Sequence, residues 1–504
     1  MRNLLFFLVL SQAITAQTTF STRFDLRNGN DYGISVIPLD SHYYVYSRGL
    51  CDLGTTFCKA LVKVNTAGEV VWKSFLSDSF STNYIKVMLL RNDTFMIHMG
   101  NYYNTDPEYA IMLYDTAGNY LGRRTYDAPG ESKDHWARDI CISGNQMYVS
   151  AQYWGGTPQR SRGFLAALDM LGQELWHREF YPETGNAYIG MASNASAPDG
   201  GVAAIYSNTI AGWDRAYIDR YTASGDLLWR TNLGVMDDDK SYVTIEPTPD
   251  KGFICSWAID TFIFPDNYYT QIFSKLDSNG TIIWQSMDHL PRENFLRILV
   301  GSNNDFYAIG QHYYGPTDQR FHGRIRKMGL DGSTHWAKNY IDLRGGSIHN
   351  AEFLNGEWLN DGSLILTGGL LDSSTLDMDL HPQNTWLFRV GPDGCVSSDC
   401  AGEDQFIVSV EDPLADAQPA FTIFPNPCTG FTNIGLQMGQ SLQAGQYALR
   451  VFDLSGKLYH RNDNYRAELL YQMPTADWPP GSYRVILYRN GIPEHEMSLL
   501  KAGN

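Results

Sequence analysis

After residue 16 the chain holds no apolar run long enough to cross a bilayer, which takes about 20 residues. Positive charge is scarce: Lys and Arg number 38 against 55 Asp and Glu, a formal net charge of -17. That balance argues against a protein that tracks nucleic-acid phosphates or lies on an anionic membrane through a basic patch. Linear signatures of catalysis are missing as well. There is no HExxH, GxSxG, GxGxxG, P-loop or EF-hand loop. The 12 His are scattered at no metal-ligand spacing, and no cofactor or metal is expected. Charged residues reach only 18% and apolar ones 43%, a composition that folds. Plentiful instead are Tyr (31), Phe (24), Trp (12) and Gly (46), which point to short strands and many turns.

One pattern recurs through the middle of the chain. Apolar residues run into a short polar turn closed by Gly, then more apolar residues and often Trp follow. It reads LVKVNTAGEVVW at Leu61 to Trp72, YIDRYTASGDLLW at Tyr217 to Trp229 and IFSKLDSNGTIIW at Ile272 to Trp284. Seven copies carry the turn glycines Gly68, Gly118, Gly172, Gly225, Gly280, Gly332 and Gly394. Gly closes such a turn because it tolerates positive φ. The Trp offers a large area for packing on a neighbouring unit. About 25 residues before each such turn lies a second one, rich in Asn, Asp or Gly, such as Asn92-Asp93 or Asp250-Lys251-Gly252. Two hairpins per repeat make four strands.

Seven four-stranded units predict an all-β fold, a seven-bladed β-propeller over residues 17–400. An open solenoid or tandem sandwiches would be the alternative. The seventh copy ends near Val396 without a clear fourth strand. FSTRFDLR, Phe20 to Arg27, resembles WAKNYIDLR, Trp336 to Arg344, the outer strand of the sixth unit. The N-terminal segment is therefore expected to complete the last blade and remove an exposed edge.

The two ends differ from the repeats. MRNLLFFLVLSQAITA has a positive Arg2, a seven-residue apolar run from Leu4 to Leu10, and small residues at Ala13 and Ala16. It reads as a secretory signal peptide, residues 1–16. Residues 401–420 are acidic, contain Pro, and read as an extended, exposed linker that carries the processing site. Residues 421–504 alternate like strands, as in Tyr483-Val485-Leu487, with turns at Gly456 and Gly491. They predict a small Ig-like β-sandwich.

Pro425-Asn426-Pro427, VFDLSGK with Gly456, PPGSYRV with Gly481 and the terminal LLK ending at Lys501 together resemble the C-terminal sorting domain of the type IX (Por) secretion system of Bacteroidetes. Phe424 stands where that family usually has Tyr. The resemblance implies passage through the periplasm, interaction with the type IX machinery, and release of the product or its attachment to the cell surface. The repeats are similar to the D-x-x-G-x-φ-φ-W propellers of secreted Bacteroidetes proteins with this tail. Such propellers do not share one activity.

In an exported protein the pairs Cys51/Cys58 and Cys395/Cys400 read as local disulfides. Cys141 and Cys255 lie in apolar strands and are expected as buried thiols. The acids Asp237, Asp238 and Asp239, and Asp372, Asp377 and Asp379, are read as solvated loop residues rather than a Ca²⁺ site.

The loops between second and third strands should open on one face of a propeller, and they are rich in aromatics. Tyr102, Tyr103, Tyr153, Trp154, Trp213, Tyr268, Tyr269, Tyr313 and Tyr314 fall there. Exposed rings of this kind suit stacking on a sugar or packing on a peptide. The leading expectation is a non-catalytic binding module for a glycan, peptide or surface partner. A polysaccharide hydrolase or lyase with acids near the ring axis, or a structural or adhesive surface protein, are the alternatives.

Overall fold

A computed structural model of the chain describes residues 19–26, 31–51, 56–76, 88–100, 108–127, 132–155, 160–181, 189–210, 213–236, 243–263, 266–287, 293–301, 304–313, 321–343, 350–371, 383–396, 402–407, 421–424, 426–436, 446–453, 455–465, 471–489 and 492–502. The expected signal peptide lies outside these residues. Among them there is no α-helix, and none long and apolar enough to cross a membrane.

Among the described residues, seven antiparallel sheets are formed between Phe20 and Val390. The first is built from Asp31–Leu39, His42–Cys51, Thr56–Asn65 and Val70–Phe75 in that order. The next five repeat the plan, opening with Met88–Arg91, Ser132–Ser143, Ile189–Ser196, Thr244–Pro247 and Glu293–Val300. The seventh takes three strands from Asn350–Trp358, Leu364–Leu371 and Gln383–Val390. Its fourth is Phe20–Phe24, which pairs antiparallel with Thr385 to Arg389. First strands of successive sheets lie against one another, and Asn350–Trp358 of the seventh sheet returns to Asp31–Leu39 of the first.

The core sits between the sheets. In HYYVYS, Tyr44 and Tyr46 face a cluster shared with the second sheet. Tyr43 and Val45 face one shared with Ile365 and Leu387 of the seventh. A strand apolar on both faces is one buried on both faces, which is why the second strands read as near-continuous apolar runs.

The recurring turn has a local and a distant cause. Locally, its first residue is a side-chain acceptor: Asp277 Oδ1 takes the amides of Asn279 (2.9 Å) and Thr281 (2.8 Å), and Asp115 and Asp169 do the same in their own turns. At a distance, each turn glycine lies under the outer strand of the preceding sheet. A Cβ on Gly280, where φ is +82°, would sit 2.6 Å from the Trp229 ring. Trp229 Nε1 donates to Ser278 O at 3.0 Å in the same turn. Trp72 covers Gly118, Trp176 covers Gly225, Trp284 covers Gly332 and Trp336 covers Gly394. The second repeat has Gly122 in the Trp position, and Arg124, two residues on, covers Gly172 instead. Phe20 and Thr22 of the N-terminal strand cover Gly68 of the first sheet.

The sixth sheet departs from the plan. Residues 401–420 were expected as an exposed linker, yet Asp404–Ile407 is a strand, paired in parallel with Asn339 to Asp342 on the sheet's outer edge. Backbone amides of Asn339 and Leu343 bond to Glu403 O (2.8 Å) and Ile407 O (3.0 Å). Gln405 and Ile407 are buried there. The edge had unpaired groups to offer, and composition alone does not register that opportunity.

The tail forms two further sheets. One joins Phe421–Phe424, Phe431–Leu436 and Tyr471–Pro474, the other Leu458–Tyr465, Tyr447–Asp453, Gly481–Arg489 and Ile492–Lys501. Leu449, Val451, Val485, Leu487, Ile434 and Met473 fill the space between them.

Candidate functional site

Of the aromatic residues expected on an exposed face, Tyr102, Tyr103 and Tyr314 lie outside the described residues. Trp154, Trp213, Tyr268 and Tyr269 fall in strands that flank second-to-third-strand loops, with side chains outside the description. Tyr153 corrects the expectation. It is 1% exposed, packed with Val149, Ala151, Tyr109 and Phe164 between the second and third sheets. Its hydroxyl donates to Glu179 Oε2 at 2.5 Å. Strand alternation puts residue 153 on the same face as 149 and 151, so the ring is core. Tyr313 is half-buried, edge-on to Phe321, and its hydroxyl accepts from Gln311 Nε2 at 2.8 Å.

The structure brings together a different set of residues, on the first strands. Five of these strands carry a bulge, between Gly33/Ser35, Ala137/Asp139, Met191/Ser193, Phe295/Arg297 and Phe353/Asn355. An extra residue re-aims the side chains that follow it. The residue after each bulge is polar and buried: Ser35, Asp139, Ser193, Arg297 and Asn355. They reach across to the neighbouring sheets. Asp139 Oδ2 accepts from Ser193 Oγ (2.6 Å) and from the Asn194 amide (3.0 Å). Asn355 Nδ2 donates to Ser35 Oγ at 3.3 Å, linking the seventh sheet to the first. Arg297 pairs with Glu246 of the fifth sheet.

Arg297 is the hub of this cluster. Burial works to lower its pKa, but the carboxylates of Glu246, Asp139 and Glu357, from three different sheets, outweigh it and hold the guanidinium above its ordinary value. Its Nε and Nη1 and the Oδ1 of Asn194 are buried and meet no hydrogen-bond partner among the described residues. Free donors and free acceptors therefore lie close to the same strands, the provision a hydroxyl-bearing ligand or water would use. On the seventh sheet, burial raises the Glu352 carboxyl to about 7, opposed by its hydrogen bond with Gln383. The Glu293 carboxylate is raised by burial too, but it is held between Arg324 and Arg326. No linear motif announces these positions, because their neighbours lie about one repeat apart.

Among the described residues no group of three His, Cys, Asp or Glu could hold a metal ion. Asp237 to Asp239 and Asp372, Asp377 and Asp379 lie outside the described residues. Cys58 and Cys395 are disulfide-bonded, while Cys141, Cys255 and Cys428 are buried free thiols. The side chain of Cys51 and all of Cys400 lie outside the description.

In the tail, the signal residues meet around the terminal strand. Asn426 accepts from the Leu500 amide through Oδ1 and donates through Nδ2 to Ser498 O, each at 2.8 Å. Cys428 bridges to Lys501, with its amide on Leu500 O at 2.9 Å and its carbonyl taking the Ala502 amide at 2.8 Å. Lys501 is buried and pairs with Gly481. Asn426 and Pro427 are exposed, and Pro425 lies outside the described residues. Gly456, at φ +83°, closes a turn on Asp453 built like those of the repeats.

Residues 422–494 match the family of the secretion system C-terminal sorting domain. No curated protein matches the chain. Among solved structures, a crystal structure of an unknown function protein from Dyadobacter fermentans DSM 18053 is 13% identical. The match covers 73% of this chain and 97% of that one, with a TM-score of 0.41, too loose a likeness to carry an argument.

Proposed function

We propose that this chain, which carries a type IX secretion sorting domain at residues 422–494, is an exported binding protein whose ligand meets the ring of first strands. The sorting domain engages the type IX machinery and directs the protein to secretion and the outer surface. In this reading the body, residues 17–400, is a seven-bladed propeller closed by its N-terminal strand, and residues 421–504 are an Ig-like sandwich. The disulfides join Cys51 to Cys58 and Cys395 to Cys400. The ligand is a glycan, peptide or surface partner, and the loop residues Tyr102, Tyr103, Trp154, Trp213, Tyr268, Tyr269, Tyr313 and Tyr314 add contacts on the same side.

The observation that carries a binding role is Arg297, buried among carboxylates from three sheets with two guanidinium nitrogens that meet no partner among the described residues. The other buried acids nearby are committed: Asp139 to Ser193 and Asn194, and Glu293 to two arginines. A polar, hydroxyl-rich ligand fits a site that offers donors and acceptors together. The test is a glycan array probed with the exported protein and with Arg297→Met, alongside a hydrolysis assay. Binding lost in the variant, without turnover, supports the reading. Binding unchanged in the variant moves the site elsewhere.

A second reading is a polysaccharide-active enzyme, favoured by one residue. Glu352, with its carboxyl raised to about 7, is poised as a general acid would be. Turnover that disappears in Glu352→Gln would establish it.

A further inference from the structure

The strand Gly481–Arg489 contains the run Val485-Ile486-Leu487-Tyr488. Val485 and Leu487 face the core between the two tail sheets, as alternation requires. The opposite face of that sheet would ordinarily meet water. Ile486 and Tyr488 are nevertheless 0% and 1% exposed. They pack on Ile341 and Leu343, at the end of the sixth sheet's outer strand, with Ala448 and Phe452 alongside.

The sixth sheet carries the other half of the argument. Outer strands elsewhere stay wet: Val70–Phe75 alternates between exposed and half-buried, and Glu174–Phe180 is buried only at its last residue. Thr334–Asp342 starts in the same way, but its last five residues are all buried. Two covers account for this. Asp404–Ile407 takes the edge, reinforced by Asn339 Nδ2 on Asp404 Oδ1 at 2.8 Å and by the Arg324–Glu403 ion pair. The tail's outward face takes the apolar side chains.

We propose that the sorting domain is carried docked on the body: Ala448, Phe452, Ile486 and Tyr488 form an interaction surface whose partner is the sixth sheet of the same chain, at Ile341 and Leu343. Asp404–Ile407 is the clasp that sets where the tail can reach. Docking spends the tail's outward sheet face and leaves Asn426, Pro427 and Leu500 exposed. The clasp also closes a sheet edge that would otherwise be open to a foreign strand. This inference is independent of what the body binds.

The test uses the full-length chain, small-angle scattering and amide hydrogen exchange. Ile486→Asp and Leu343→Asp each place a carboxylate in the patch, one from each side. The wild type is expected to scatter as one compact particle. Both variants are expected to show a larger radius of gyration and at least ten-fold faster exchange of the Asn339 amide, which bonds to Glu403 O beside the clasp. Amides of Leu449 and Val485 inside the tail should stay protected, separating undocking from unfolding. Wild-type scattering that fits only a detached tail overturns the proposal. So do scattering and exchange that are identical in all three proteins. Should Ile486→Asp unfold the tail, Leu343→Asp leaves every tail residue intact and decides.

Discussion

Replacing Gly280 by Ala isolates the contact that recurs from sheet to sheet. Two costs are superposed there. The backbone sits at φ +82°, and an L-residue in the left-handed region costs about 1–2 kcal/mol. The added methyl would also lie 2.6 Å from the Trp229 ring and 2.8 Å from Thr231 Oγ1, so the indole must move. Its displacement weakens the Nε1 bond to Ser278 O, worth about 0.5–1.5 kcal/mol, and overpacking of this kind costs about 1–3 kcal/mol. Gly280→Ala should therefore lose about 2.5–6.5 kcal/mol in total. Gly200 supplies the control. It has nearly the same φ, +83°, but nothing within 4 Å of its Cβ position. Gly200→Ala should lose only the backbone part, about 1–2 kcal/mol. Urea unfolding of the two variants, followed by circular dichroism, measures the difference. In a Trp229→Ala background the ring clash is gone and only Thr231 Oγ1 still crowds the methyl, so the added cost of Gly280→Ala should fall towards that of the control. Equal losses at Gly280 and Gly200, or full additivity with Trp229→Ala, would refute the idea that the glycine serves the neighbouring sheet.

Four further outcomes are expected. Glu352 is raised from 4.5 to about 7, so the folded protein holds a proton that the unfolded chain releases. Its contribution is fully present below about pH 4.5, declines as pH rises towards 7 and is flat above. Glu352→Gln should remove that decline and gain up to about 3 kcal/mol over wild type at pH 8, read as the difference between two pH–stability curves; parallel curves would show that the carboxyl is solvated. Arg297→Met leaves Asp139 buried and Glu246 half-buried without their counter-charge and should cost about 3–5 kcal/mol, mostly recovered in Arg297→Met with Glu246→Met; a cost below about 1 kcal/mol in urea unfolding would contradict a desolvated ion pair. Ser21→Ala removes the hydroxyl that accepts from Trp386 Nε1 at 2.8 Å and should cost about 0.5–1.5 kcal/mol. Deleting residues 20–24 should go further and produce association through the bared Gln383–Val390 edge, visible by light scattering; a monomer of unchanged stability would mean the strand is dispensable.

Much of the architecture has a trace in the chain. Polar turns rich in Gly, Asn or Asp, two per repeat, mark hairpins because few residues tolerate positive φ, and Gly225, Gly362 and Asn92 sit at such angles. The Trp after five of the seven turn glycines is legible as a packing residue, although its target, the turn of the next repeat, is not. The pairing of Phe20–Phe24 with the seventh sheet has a counterpart in the likeness of FSTRFDLR to WAKNYIDLR. The strand Asp404–Ile407 had none, since four residues inside an acidic segment carry no pattern strong enough to separate a strand from a linker. Tyr153 shows why aromatic counting misleads at strand ends. Whether such a ring faces solvent or a neighbouring sheet depends on alternation and on what the next sheet presents, here Tyr109.

The sequence by itself determined the strands, the turns and the exported character of this protein. Those depend on local φ preferences, on alternation within a few residues and on short motifs of the sorting tail. Only the tertiary structure decided which polar groups meet. Asp139, Glu246, Arg297 and Glu357 stand on four different sheets, and the three carboxylates act on Arg297 because neighbouring first strands pack together. The docked face of the tail follows the same rule. Ile486 and Tyr488 read as apolar in the chain, but what covers them, Ile341 and Leu343, lies more than a hundred residues away and is brought there by the fold.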